Sequence, residues 1–252
     1  MDRRHLRIGT SGFSYRDWLG NFYPQFCPQA DFLKFYSSKF TTVEIDASFY
    51  RIPSVETVRK WAGVTPEDFV FTAKFPRTVT HEGTLESRRE ELGRFVEVMK
   101  HLGGKLGPLL LQFPYSFKPD RLDDLTAIVE SLPPEGRFAV EMRNRKWLEI
   151  DSLMTLLSAR GIALCLVDHP WMPRFNIKTA PFIYIRFLGD HRKIENDFTY
   201  VRSDREDDLH WWRQLVVEYL RDNVNCYIYF NNHYSGHAPT TAARLRELVS
   251  EP

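Results

Sequence analysis

The segment Thr42-Val-Glu-Ile-Asp-Ala-Ser48 alternates apolar Val43, Ile45 and Ala47 with polar Thr42, Glu44, Asp46 and Ser48. A period of two is the pattern of a strand with two unlike faces. Two carboxylates two residues apart on one face suit acid–base work, because like charges held close push one pKa up. The same reading places Lys74 opposite Phe71, Ala73 and Phe75, and Gln112 opposite Leu111 and Phe113. Glu141 and Arg143 share a face, as do Tyr184 and Arg186. Asp168, Tyr229 and Asn231 close their own runs. The result is a set of acids (Glu44, Asp46, Glu141, Asp168) and bases (Lys74, Arg143, Arg186) on strand faces that would otherwise be apolar.

Buried charge is costly unless paired, so such a set needs a reason. One reason is an internal salt-bridge network that sets strand register. The other is a ligand site, with arginine suited to bidentate binding of phosphate or carboxylate. On the second reading Glu44 and Glu141 are acid–base candidates, and Asp46 and Asp168 orient them. Lys74, Arg143 and Arg186 clamp an anion.

The elements that position these residues alternate. Strands are expected over residues 6–10, 42–47, 69–75, 109–113, 137–142, 163–168, 182–187 and 226–230. Helices are expected over 30–40, 54–62, 87–102, 120–132, 151–160, 204–223 and 240–250. Ser54 and Asp151 read as helix caps, while Gly103-Gly104, Pro133-Pro134 and Gly161 read as stops. Strands alternating with helices imply parallel βαβ units. Eight of them in 252 residues suggest one domain, an α/β (β/α)8 TIM-type barrel, with an irregular crossover between strands six and seven where residues 169–180 hold Pro170 and Pro173 and show no helical period. A doubly wound open sheet is the alternative. Barrel sites lie at strand C-termini, where the charged set gathers.

The loops there add further candidates. Gly189, Asn231, Asn232 and Gly236 could cradle a phosphate, or simply supply left-handed turn positions. The charged loop from 189 to 208 reads equally as a lid or a solvated segment. Aromatic residues crowd the mouth: Phe13, Tyr15, Trp18, Phe22, Tyr23, Phe49, Tyr50, Trp147 and Trp171. Tyr15 and Tyr50 are the rings expected beside a ligand, and the others are as well explained by a small loop core. His81 is expected to face the ligand. Glu44, His81, Glu141, Asp168, His169 and His233 would be the members of a divalent-metal site, but no fixed spacing supports one. No cofactor is expected, since no Gly-x-Ser-x-Gly, Walker or Gly-x-Gly-x-x-Gly motif occurs.

Composition narrows the partners. With 34 basic and 33 acidic residues the formal net charge is +1, which gives no general drive toward duplex nucleic acid or anionic membrane. No apolar run is long enough to span a bilayer, and the start of the chain lacks a signal-peptide pattern. Cys27, Cys165 and Cys226 form no Cys-x-x-Cys, and the latter two read as small buried hydrophobes. A reducing cytoplasmic setting is expected.

These same residues carry a resemblance. The chain resembles the YecE-like family, catalogued as domain of unknown function 72. The matching segments are Gly9-Thr-Ser-Gly-Phe-Ser-Tyr15 with Phe22-Tyr-Pro24, and Val43-Glu-Ile-Asp-Ala-Ser-Phe-Tyr50 with Pro53. Phe71-Thr-Ala-Lys-Phe-Pro76 with Thr80-His81, then Gly107-Pro-Leu-Leu-Leu-Gln-Phe-Pro114, follow in order. Val140-Glu-Met-Arg143 with Trp147, Tyr184-Ile-Arg186 with Gly189, and Tyr229-Phe-Asn-Asn232 with Gly236 and Ala238 complete the set. The resemblance implies a TIM-type barrel and no particular activity. One position departs from it: Leu188 stands where the family's strand-seven motif usually carries histidine, which leaves His191 or His233 as substitutes if that histidine is catalytic in relatives.

Three functions fit. The preferred one is an enzyme using acid–base chemistry on a phosphorylated or other anionic small molecule of sugar phosphate or nucleotide type, hydrolysis being favoured over isomerisation because it needs no cofactor. The second is a nuclease-like barrel or a single-stranded nucleic-acid binder that stacks bases on the loop aromatics. The third is a metabolite-sensing barrel without catalysis.

Overall fold

The computed structural model describes residues 5–251. In chain order the strands are β1 (Leu6–Thr10), β2 (Thr42–Ile45), β3 (Val70–Lys74), β4 (Leu106–Phe113) and β5 (Phe138–Met142). They continue with β6 (Ala163–Leu164), β7 (Leu166–Asp168), β8 (Phe182–Phe187) and β9 (Asn225–Phe230). The helices are α1 (Phe32–Ser37), α2 (Val55–Val64), α3 (Arg77–Thr80), α4 (Leu85–Met99) and α5 (Leu122–Glu130). Then come α6 (Asp151–Ala159), α7 (Glu206–Arg221), α8 (Asn232–Ser235) and α9 (Ala238–Ser250).

The fold is α/β with parallel sheets. One sheet has the order β1-β9-β8-β7, and the other β2-β3-β4-β5-β6. The pairings β1–β9, β8–β9, β7–β8, β3–β4, β4–β5 and β5–β6 are all parallel. Residues β2, β5 and β8 are buried along their whole length, as expected of parallel strands covered on both faces. The expected sixth strand, 163–168, is divided at Cys165. Its first half joins the five-stranded sheet and its second half the four-stranded one.

The chain forms two compact units. The first comprises the segment up to Glu44, Leu166–Asn176 and the chain from Phe182 onward; the second comprises Ile45–Cys165 and Ile177–Pro181. In the first, Phe187 stacks on Phe230 at 4.1 Å, with Trp212 and Tyr234 at their edges. In the second, Phe113, Phe117 and Trp147 form a stacked series at 4.5 and 5.6 Å. Trp147 also donates its indole N–H to the Phe117 carbonyl at 2.7 Å, so a fully buried ring keeps its polar atom satisfied. Losing such a ring costs about 3–5 kcal/mol.

Among the described helices, side chains cap the starts of α2, α4, α8 and α9. Ser54 caps α2, accepting from the Thr57 N–H at 3.2 Å. Asp151 is not a cap: Ile150 holds that position, and Asp151 lies in the first turn of α6. There its charge still complements the helix dipole without accepting an end N–H. Residues 169–181 contain no helix or strand, in keeping with the expected irregular crossover. Thr179 in this segment serves as a strand surrogate for β6. Its Oγ1 accepts from Leu164 N–H at 2.8 Å and donates to the Ile162 carbonyl at 2.6 Å.

Candidate functional site

The charged residues singled out in the sequence fall into separate clusters. In the first unit, Glu44 on β2 is fully buried. Ser11 Oγ donates to its Oε1 at 2.7 Å and Tyr184 OH to its Oε2 at 2.6 Å. Arg186 adds Nε at 3.1 Å and Nη2 at 2.7 Å, both to Oε1. Burial, followed by the Glu44 charge, raises the Tyr184 phenol well above its ordinary pKa, so it stays a donor. Tyr229 is fully buried beside it, its OH 2.7 Å from Thr42 Oγ1 and its ring 5.2 Å from that of Tyr184. This is a closed network in which both carboxylate oxygens of Glu44 are engaged by protein donors.

Asp168, at the end of β7, is anchored separately. Its Oδ2 accepts from Trp212 Nε1 at 2.6 Å and Tyr234 OH at 3.4 Å, and pairs with Arg174 at 3.2 Å. Arg174 also pairs with Asp208, so the strand end is tied to α7.

The expected phosphate-cradle residues are used within the loops. Asn231 caps the short α8 by accepting from His233 N–H at 3.0 Å. Asn232 Oδ1 accepts from Trp18 Nε1 at 3.2 Å and Ala238 N–H at 3.1 Å. Gly189 has φ +67°, and a Cβ there would lie 2.0 Å from the His233 carbonyl oxygen. Gly236 has φ +107°, and a Cβ there would lie 2.5 Å from the Tyr200 carbonyl oxygen. Both positions therefore need glycine for backbone contact, whatever else they do.

Among the described residues, Asn232 Nδ2 and His237 Nε2 are buried donors in this region without an acceptor. His237 Nδ1 accepts from Thr240 N–H at 3.3 Å, which puts the imidazole proton on Nε2. Burial lowers the His237 pKa to about 4.

In the second unit a different cluster forms at the C-terminal ends of β3, β4 and β5. Lys74 is 7% exposed. Its Nζ stands 3.7 Å from the centroid of the Phe49 ring and 3.8 Å from Asp46 Oδ1. The Phe49 ring also meets His81 edge-on at 5.0 Å. Glu141 is fully buried and paired with Arg143, whose side chain is 24% exposed. Gln112 donates to the Phe113 carbonyl at 2.8 Å.

His81, expected from the sequence to face a ligand, sits in a strongly perturbing environment. Burial is the main cause that lowers its pKa to about 4, and the charges of Lys74, Arg77 and Arg143 add to it against Glu82. Its Nδ1 lies 2.7 Å from Thr80 Oγ1. The imidazole is thus neutral at pH 7 and half-buried, with two cations of the cluster acting on it. The adjacent Thr80-His81 pair was the available signal; the field of the lysine and arginines was not visible without the fold.

The aromatic candidates divide. Trp18 and Tyr23 are buried, and Tyr23 stacks on Phe32 at 4.1 Å, so the first loop holds a small core. Tyr15 packs on Trp18 at 4.7 Å and donates to the Ser11 carbonyl at 3.0 Å. Tyr50 remains 75% exposed and Trp171 50%. The loop after β8 is stitched down at several points, including Phe198 N–H to Asp17 at 2.9 Å and Arg202 N–H to the Ser235 carbonyl at 2.6 Å. Leu188 is buried, and its N–H donates to the Asp168 carbonyl at 3.0 Å. His191 is exposed, while His233 Nδ1 lies 2.6 Å from the Ile194 carbonyl oxygen. Cys165 and Cys226 are both buried.

Among the described residues no group of three or more His, Cys, Asp or Glu is arranged to hold a metal ion. None of the described helices is long and apolar enough to cross a membrane.

Parallel α/β sheets with polar residues at strand ends define the class. The chain belongs to the family described as protein of unknown function DUF72, whose model matches residues 7–252. The protein YecE of Escherichia coli is 28% identical over 212 residues, covering 75% of this chain and 77% of YecE. The protein YunF of Bacillus subtilis is 26% identical, covering 97% of this chain and 94% of YunF. Among solved structures, a DUF72 family protein from Thermotoga maritima superposes with a TM-score of 0.81 at 31% identity, covering 97% of this chain and 99% of the other.

Proposed function

We propose that the protein is an enzyme performing proton transfer on an anionic small molecule, and that the cluster on β3–β5 does this work. The observation that carries the reading is His81, an imidazole kept neutral at physiological pH beside the cations Lys74 and Arg143. A neutral imidazole can take a proton from a bound ligand or polarise it. Lys74 and Arg143 would hold the anion, Asp46 would orient Lys74, and Glu141 would position Arg143. Glu44, Arg186 and Asp168 belong on this reading to the framework, because their polar atoms are committed to protein partners. The proposal retains the (β/α)8-type barrel expected from the sequence as the scaffold, to be tested by a crystal structure.

The test is a thermal-shift series with phosphate, sugar phosphates and nucleotides on the parent protein, Arg143→Ala and Lys74→Met. Ligand at about 100 times its Kd adds about 2.7 kcal/mol, a shift of a few degrees for a domain of this size. The expected result is a stabilising anion whose effect disappears in both variants. A shift equally large in all three proteins removes the clamp. For the bound compound, His81→Asn should abolish turnover while leaving binding in place.

A further inference from the structure

On the second unit a cavity of about 340 Å³ opens beside the loop that follows β2, with walls from the start of α3 and the middle of α4. Its polar wall is Arg51, Ser54, Arg77, Thr78, Glu91 and Arg94, and Tyr50 also lines it. Three arginines against one glutamate leave the wall cationic. Arg51 has no acidic partner among the described residues. Arg77 pairs with Glu82 at 2.5 Å and Arg94 with Glu91 at 3.0 Å. The side chains of Arg77 and Arg94 are 51% and 65% exposed, so water screens both pairs and each is weak. A doubly charged oxyanion can therefore displace these acids at small cost.

Two further features select the ligand. Tyr50 is 75% exposed, so most of its ring is open to stacking. Ser54 caps α2 through the Thr57 N–H, which puts the start of a ten-residue helix at the cavity wall. The helix end favours negative charge. The volume lies within the range of small-molecule sites.

We infer that this cavity binds a phosphorylated aromatic compound of mononucleotide size, its phosphate on Arg51, Arg77 and Arg94 and its ring on Tyr50. The cavity shares Phe49 with the Lys74–His81 cluster, and the Arg77 charge reaches His81, but none of Lys74, His81 or Arg143 lines it. The phosphate is held by the guanidinium forks, and the base gains a stacking partner with a cationic neighbour.

The experiment is isothermal titration with adenosine 5′-monophosphate, adenosine and inorganic phosphate, using the parent protein, Arg51→Ala, Tyr50→Ala and Arg143→Ala. All these positions are at least partly exposed, and thermal melts are run to check that each variant is folded. The monophosphate should bind more tightly than either fragment, lose about tenfold or more in Arg51→Ala and Tyr50→Ala, and keep its affinity in Arg143→Ala. Undetectable binding at millimolar nucleotide overturns the inference. So does binding that survives Arg51→Ala and Tyr50→Ala unchanged. Loss in Arg143→Ala alone would assign the nucleotide to the strand-end cluster and overturn this site while supporting the proposed function.

Discussion

Arg186 directs two guanidinium N–H groups, Nε at 3.1 Å and Nη2 at 2.7 Å, onto a single oxygen of Glu44, where neither side chain is more than 2% exposed. Breaking a buried pair by removing one partner leaves an uncompensated charge and costs about 3–5 kcal/mol. Glu44→Leu and Arg186→Met should each lose that much in urea unfolding. The double variant should lose clearly less than the sum of the two. Additive costs, or a single-variant cost below about 1 kcal/mol, would show that the pair is not a coupled unit.

His81 should titrate far below an ordinary histidine. Its ring-proton resonances should show a midpoint near pH 4 and stay flat from pH 6 to 8. Lys74→Met removes one of the charges that lower the pKa, so the midpoint should rise in that variant. A midpoint near 6.5 in the parent protein would show that burial and the neighbouring cations do not act on the imidazole as the proposed chemistry requires.

His237 makes stability depend on pH. Its folded-state pKa, about 4, lies below the ordinary value of 6.5 because the ring is buried. The unfolded chain therefore binds the extra proton first, and stability falls as pH drops from 6.5 toward 4. The contribution lost is on the order of 3 kcal/mol. Urea midpoints measured across pH 4–7 should follow this slope. His237→Asn keeps a cap for α9 and should flatten the part of the slope that His237 supplies. An unchanged slope in that variant would assign the pH dependence elsewhere.

Two glycines should respond in opposite directions to the same substitution. Gly189→Ala puts a methyl group 2.0 Å from the His233 carbonyl oxygen at φ +67°, and should cost at least about 2 kcal/mol. Gly93 lies inside α4 with nothing within 4 Å of a new Cβ, and Gly93→Ala should gain about 0.5–1 kcal/mol. Thermal melts of the two variants check both signs.

Much of the fold was legible because its signals are local. Seven of the eight expected strand runs match single strands in the structure, since apolar alternation and turn residues act over a few neighbours. The eighth, 163–168, divides at Cys165 because pairing with different neighbours is a long-range matter. Ser54 was readable as a cap from its position. Asp151 was misread by one residue, since Asp is equally at home at the cap and in the first turn.

The sequence by itself determined which side chains carry charge on buried strand faces, because period-two alternation sets the face and composition sets the chemistry. Glu44, Lys74, Glu141 and Arg186 are all buried, as that reasoning required. Only the tertiary structure decided how they are partnered. Glu44 meets Ser11, Tyr184 and Arg186 across as many as 142 residues of chain, and its carboxylate is fully engaged. Lys74 and Arg143 instead act on His81, whose depressed pKa comes from burial and from charges that approach only in the folded chain. Hydrogen bonds and Coulomb forces depend on distance in space, which local pattern does not encode.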